Sequence, residues 1–279
     1  MREQAVAEMA ATEDDHWWYV GLRDLLGRLL AQLRFAPPPR PRVLDAGCGT
    51  GATLRFLHDR LRPSYLGGFD LNPNCVATAR EKCPAADVYA ADVTDPQFSA
   101  SQYDLIVSCD VLSYVWPTEQ VVALQRLRER LTGDGRLILH LPACPWLFSC
   151  HDRAVGTVER FTAAGLRSLL HQAGFEIELL TYRMSLLFPV VAAARLPSQQ
   201  SFTPTEESTG NVEPVSDLRH GRGRLGSACR QVLQFENAAI CRGIRWPIGS
   251  SLLVVARSGA EKSRGPAEGP RPELVTTTR

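Results

Sequence analysis

Val43-Leu44-Asp45-Ala46-Gly47-Cys48-Gly49-Thr50-Gly51-Ala52-Thr53-Leu54 reads as a short buried strand, a tight turn and the opening of a helix. Pro41 marks its start, Arg42 to Leu44 form the strand, and the amphipathic run from Leu54 to Leu61 forms the helix. Glycine suits the turn because the backbone angles needed there are ones a β-carbon penalises. It also leaves bare N–H groups at a helix N-terminus, where a ligand can lie against them. The spacing is Gly-x-Gly-x-Gly, not the Gly-x-Gly-x-x-Gly of dinucleotide folds.

Asp45 selects among ligands. A carboxylate two residues before the first glycine repels a pyrophosphate and attracts an ammonium group, which argues against an NAD-dependent reductase. The segment Asp45-Ala46-Gly47-Cys48-Gly49-Thr50-Gly51 resembles the first motif of the class I S-adenosylmethionine-dependent methyltransferases, particularly the small-molecule group that includes ubiquinone and menaquinone biosynthesis. The resemblance implies that Asp45, Gly47, Cys48, Gly49 and Gly51 hold the methionine part of S-adenosylmethionine, with S-adenosylhomocysteine as product. It also implies a seven-stranded, doubly wound, mostly parallel α/β sheet with helices on both faces and an antiparallel last strand.

The 279 residues suffice for one large α/β domain with an insertion. A net charge of +1 asks for neither nucleic acid nor a membrane surface. The eight cysteines are scattered without a C-x-x-C pair, as in a reduced protein. The first fifteen residues lack a signal-peptide layout, and the longest apolar run, 184–194, contains Pro189 and is too short to span a bilayer. A cytoplasmic protein without a transmembrane segment is expected.

Residues 1–36 are expected to form an N-terminal helical cap, with Leu22, Leu25, Leu26, Leu29, Leu30 and Leu33 at helical spacing after Glu13, Asp14 and Asp15. His16-Trp17-Trp18-Tyr19 precedes those leucines. Its aromatic rings are either core contacts or a cover over the cofactor, with Trp17 or Tyr19 against the sulfonium and Arg23 on the methionine carboxylate. Similar methyltransferases carry such a segment followed by Gly-x-Arg.

The cofactor-binding core is expected over 40–184. Tyr65 to Phe69 is its second strand and ends in Asp70-Leu71-Asn72-Pro73, where Asp70 is placed to accept both ribose hydroxyls. A weak third strand, Ala86 to Ala90, precedes Ala91-Asp92-Val93; the resemblance implies that Asp92 accepts the adenine amine and that the Val93 backbone meets a ring nitrogen. Tyr103 to Cys109 is a dense apolar run suited to a central parallel strand. At its end Cys109 and Asp110 border the transferable methyl group. The Asn- or Asp-Pro-Pro-aromatic motif of enzymes that methylate nucleic-acid bases is absent there, so no nucleic-acid partner is expected.

After a fifth strand, Arg136 to Leu141, comes a long loop from Leu141 to Gly156. His151 is the candidate general base, with Asp152 beside it, although neighbours in an extended loop point apart. Some family members continue this stretch with a further His and paired arginines, where this chain has Gly156-Thr157-Val158-Glu159-Arg160-Phe161, so no role resting on those residues is carried over. His140 reads as a strand residue facing the core. With Cys144, Cys150 and His151 it matches no common zinc spacing, and no metal is expected.

Thr162 to Ala173 is a helix and Phe175 to Arg183 the sixth strand, while the last core strand is expected at 251–257. Residues 185–250 are a helical insertion with a flexible loop over 197–217 and a helix over 218–245, and 258–279 a disordered tail. The second insertion helix is a substrate cap, a homodimer surface, a lipid-facing patch or a helix packed on the sheet. The expected activity is methyl transfer to a small-molecule acceptor, at oxygen before nitrogen or carbon, in secondary or lipid-linked metabolism. The alternative is a protein that binds S-adenosylmethionine without methylating.

Overall fold

Alternating side chains along each strand supply two apolar faces, and helices cover both. In the computed structural model, described here for residues 3–32, 35–96, 98–199 and 223–259, the strands are β1 (Arg42–Ala46), β2 (Tyr65–Asp70), β3 (Asp87–Ala90), β4 (Tyr103–Cys109), β5 (Leu131–Pro142), β6 (Phe175–Arg183) and β7 (Ser251–Ser258). They form one seven-stranded sheet in the order β3-β2-β1-β4-β5-β7-β6. Every pair is parallel except those of β7, which runs antiparallel between β5 and β6. The doubly wound sheet with a reversed last strand is therefore the architecture present, and β4 lies at its centre.

The helices are α1 (Glu3–Thr12), α2 (Trp17–Leu30), α3 (Ala52–Leu61), α4 (Pro73–Lys82), α5 (Gln120–Arg128), α6 (Cys150–Val155), α7 (Ala163–Gln172), α8 (Phe188–Gln199) and α9 (Arg224–Cys241). Leu44, Ile106, Leu139 and Val254 pack with Leu124 of α5 and Leu166 and Leu170 of α7 on one face. Val43, Leu105, Val107, Ile138 and Val255 pack with Leu25 and Leu29 of α2, Leu54 and Leu57 of α3, and Ile240 of α9 on the other. Burying a leucine or valine in such a layer contributes about 1.5–3 kcal/mol relative to leaving it exposed.

Caps set the helix ends. His16 Nδ1 accepts from the Trp18 N–H at 3.3 Å, so α2 opens at His16 and not at the acidic triplet before it. Asn72 caps α4, with Pro73 at its first position. The stretch expected as loop over Leu141 to Gly156 contains α6, held by a capping box in which Ser149 and Asp152 satisfy each other's backbone N–H groups. The expected helix end at Leu33 lies outside the described residues, and so do 200–217 of the expected flexible loop and 260–279 of the expected tail. Pro197 to Gln199 belong to α8. α9 packs along α2, with Leu233 buried beside Gly21 and the Asn237 amide donating to the Gly21 carbonyl at 2.8 Å. Among the described residues no helix is long and apolar enough to cross a membrane.

Arg160 ties the end of the segment that follows β5 to the sheet. Its buried guanidinium donates to the Ala143 carbonyl at 2.8 Å, the Ser250 carbonyl at 3.1 Å and Asp152 Oδ1 at 2.7 Å. Arg160→Ala leaves Asp152 buried with one counter-charge fewer, and a cost of about 3–5 kcal/mol is expected. Thermal unfolding followed by circular dichroism should show the midpoint falling by roughly 10 °C, given about 2–4 °C per kcal/mol for a domain of this size.

Candidate active site

The sheet's C-terminal edge is where ligands bind in open α/β folds, and the glycine turn sits there. Gly47 has φ 81° and Gly51 φ 93°, both left-handed. A β-carbon on Gly47 would lie 2.0 Å from Val111 Cγ2, and one on Gly51 would lie 2.9 Å from Ala79 Cα, so packing as well as torsion demands glycine. The Gly47 and Cys48 N–H groups donate to the Phe69 carbonyl at 2.8 and 2.9 Å, which staples the turn to β2.

Asp45, next to the last residue of β1, is almost fully buried, and its Oδ2 has no hydrogen-bond partner. Burial first, then the charges of Asp70 and Glu13, push its carboxyl up to about 8. A buried carboxylate without a donor costs free energy until a cation with N–H groups reaches it. The methionine ammonium of S-adenosylmethionine supplies both charge and donors, so the residues present fit that group.

Asp70 closes the turn from β2: Oδ2 accepts from the Gly49 N–H at 3.0 Å and Oδ1 from the Asn72 N–H at 2.9 Å. Each oxygen retains a lone pair for a ribose hydroxyl. Leu71 beside it is 69% exposed. Beyond β3, Asp92 Oδ1 is engaged by the Thr94 N–H and hydroxyl at 2.8 and 2.7 Å, while Val93 is buried. These residues therefore share the strand-end edge with the glycine turn.

The N-terminal segment divides by residue. Trp18 meets His140 edge-on, with centroids 5.4 Å apart, which is a core contact. Trp17 lies against His16. The Tyr19 hydroxyl is pushed up by burial and by the charges of Glu13 and Asp110, which places it near the β4 end. Arg23 donates to the carbonyls of Glu13 and Asp14 at 2.7 and 3.1 Å and lines a cavity of about 520 Å³ between α2, α3 and α9, with Arg60 and Arg230. Glu13, paired with Lys82, is the acidic neighbour of Asp45 on this side.

At the end of β4, Cys109 is followed by Asp110 at φ 63°, a left-handed angle rare outside glycine. Asp110 Oδ1 lies 3.3 Å from His140 Nδ1, and His140 Nε2 lies 3.4 Å from Arg183 Nη1. Arg183 is fully buried at the end of β6, and burial lowers its guanidinium to about 10 against the pull of Glu236 and Asp110. Sequence reading treats His140 as core filling and passes over Arg183 and Glu236; each stands alone in its own segment, and only the strand order brings them together.

His151 is half-buried on α6. Asp152 is committed elsewhere: Oδ2 accepts from the Ser149 N–H and hydroxyl and from Arg195, and Oδ1 from Arg160. Burial works against its charge, but Arg160 and Arg195 outweigh it and hold the carboxyl below its usual range. It anchors the loop and the insertion to each other and does not orient His151.

The raised Asp45 carboxyl has a defined sign. The folded state holds a proton that the unfolded chain has released, so stability is present below about pH 4 and lost as pH rises toward about 8. Asp45→Asn, which mimics the protonated form, is expected to melt with the parent at pH 4. At pH 8 the free variant should melt several degrees higher, which differential scanning calorimetry would register.

Residues 43–135 match the family model described as a methyltransferase domain. The chain is 32% identical over 135 residues to the biotin biosynthesis bifunctional protein BioCD of Bordetella avium, covering 47% of this chain and 28% of that one. It is 33% identical over 107 residues to a trans-aconitate 2-methyltransferase of Variovorax paradoxus, covering 38% and 40%. The matches thus span well under half the length of these curated relatives. Among solved structures, an S-adenosylmethionine-dependent methyltransferase from Mesorhizobium loti shares the fold at TM-score 0.53 and 19% identity, covering 88% of this chain and 99% of that one. With the glycine turn, the strand-end acids and the reversed seventh strand in place, residues 43–135 match a methyltransferase domain and the chain shares the fold of S-adenosylmethionine-dependent methyltransferases.

Proposed function

We propose that this protein transfers the methyl group of S-adenosylmethionine to a small-molecule acceptor, at oxygen, within secondary or lipid-linked metabolism. The observation that carries the reading is the buried, unpartnered Asp45 carboxylate at the mouth of a left-handed glycine turn. The cofactor supplies an electrophilic methyl group on a sulfonium. Asp45 holds its amino-acid end against the close-packed glycine turn, Asp70 its ribose, and Asp92 with the Val93 backbone its adenine.

The protein's remaining task is to align the acceptor, exclude water and remove a proton. The segments following β4, β5 and β6 expose Tyr114, Trp116, Trp146 and Leu186. That apolar rim suits an acceptor with an aromatic or aliphatic body. A hydroxyl acceptor must also lose a proton, and His151 and Asp110 stand on these same segments.

Calorimetry on the purified chain tests the cofactor step, with dissociation constants for S-adenosylmethionine and S-adenosylhomocysteine expected in the micromolar range and no saturable heat from NADH. Tritium-methyl transfer to a panel of small phenols, alcohols and carboxylic acids tests the chemistry. Cofactor binding with no methyl transfer to any organic acceptor would favour a binding protein over an enzyme.

A further inference from the structure

Four titratable side chains meet behind the cleft from four different elements. Asp110 directly follows β4, His140 lies in β5, Arg183 ends β6, and Glu236 comes from α9. His140, Arg183 and Glu236 are 0% exposed, whereas the Asp110 side chain is 29% exposed. The line runs from the accessible carboxylate through the imidazole to the buried guanidinium, with spacings of 3.3 and 3.4 Å. Glu236 Oε2 accepts from the Leu186 N–H at 3.0 Å, and its charge acts on Arg183.

The hydrogen-bond roles follow from chemistry. A guanidinium only donates, so His140 Nε2 must present its lone pair to Arg183, and the ring proton then sits on Nδ1, facing Asp110 Oδ1. Nδ1 is within reach of that oxygen but is not yet aligned to bond it. Such contacts in free enzymes are often long and tighten when substrate binds. Trp18 meets the ring edge-on. Asp110 also holds a left-handed backbone angle that a non-glycine residue adopts only when its surroundings impose it. Its N–H donates to the His140 carbonyl at 2.7 Å, so the same residue fixes both backbone and side chain.

We propose that Asp110 is the general base for the acceptor, with His140 and Arg183 as the residues that position it. This rests on the methyl-transfer reading. Asp110 takes the proton of an acceptor hydroxyl; the acceptor oxygen's electron pair forms the new bond to the methyl carbon, and the carbon–sulfur pair leaves with sulfur as a neutral thioether. The proton passes from Asp110 to water once product leaves. Asp152, the neighbour of His151, is spent on Arg160 and Arg195. The groups that face Asp110 are Tyr19 from α2, Cys109 beside it, Tyr114 from the turn after β4, His140 from β5 and Arg183 from β6.

Two measurements on the full chain test this. Nitrogen-15 histidine NMR, which needs no acceptor, should show His140 as the Nδ1–H tautomer in the parent and in Arg183→Lys, and a shift toward Nε2–H in Arg183→Met. An Nε2–H signal in the parent overturns the assignment. Tritium-methyl transfer to the same panel of phenols, alcohols and carboxylic acids should fall on the order of 10²- to 10³-fold in kcat for Asp110→Asn, with the acidic limb of the pH profile abolished and cofactor affinity within twofold of the parent. Unchanged kcat in Asp110→Asn, or loss in His151→Gln instead, overturns the proposal. Melting curves of every variant separate these outcomes from misfolding. If the parent turns over none of the panel, the tautomer measurement decides. Failure of the parent to bind S-adenosylmethionine sinks the methyl-transfer reading itself.

Discussion

A carboxylate kept out of water without a partner is the constraint on which this site rests. Asp45 stands next to the last residue of the first strand of a sheet covered on both faces, where burial and the nearby charges of Asp70 and Glu13 all oppose its ionisation. A purely structural residue in that place would be apolar or paired. The chain instead carries the cost in the free state and recovers it when a cation arrives, which ties ligand choice to charge before any contact with the reacting atoms is made.

The rest of the fold keeps that carboxylate in place. Gly47 and Gly51 bring the backbone against Val111 and Ala79 more closely than any side chain allows, and Asp70 clamps the turn through the Gly49 N–H. The same edge of the sheet sets Asp110 at a strained angle, with His140 and Arg183 behind it. Beyond that, Asp152, Arg160 and Arg195 hold α6 and α8 together across the mouth. The glycine turn with its acids, the Asp110 corner and the loop anchor are thus successive positions along one row of strand ends.

What was legible in the sequence was local. Gly-x-Gly-x-Gly after a strand, an acid before it, and a second acid at the end of the next strand are each written within a dozen residues, and the structure places them together. The apolar run at Tyr103 to Cys109 announces a strand covered on both faces, and it is the central one. The Asp110, His140, Arg183 and Glu236 cluster was not legible, because dozens of residues separate its members and each alone resembles an ordinary strand or helix residue. The short helix α6 was hidden because Pro145 and Trp146 give the stretch a loop-like look, while its stability comes from the Ser149 and Asp152 capping box. Asp152 sits beside His151 in the sequence, but its charged partners are Arg160 and Arg195, which sequence spacing does not single out.

The most direct measurement of the central claim is the proton balance of cofactor binding, obtained by titration calorimetry at pH 7 in buffers of different ionisation enthalpy. Asp45, with its carboxyl near 8, is mostly protonated in the free protein and must ionise to pair with an ammonium group. The account requires release of nearly one proton per cofactor bound, and its disappearance in Asp45→Asn together with at least a tenfold weaker affinity. Equal proton balance and equal affinity in the two proteins would contradict it.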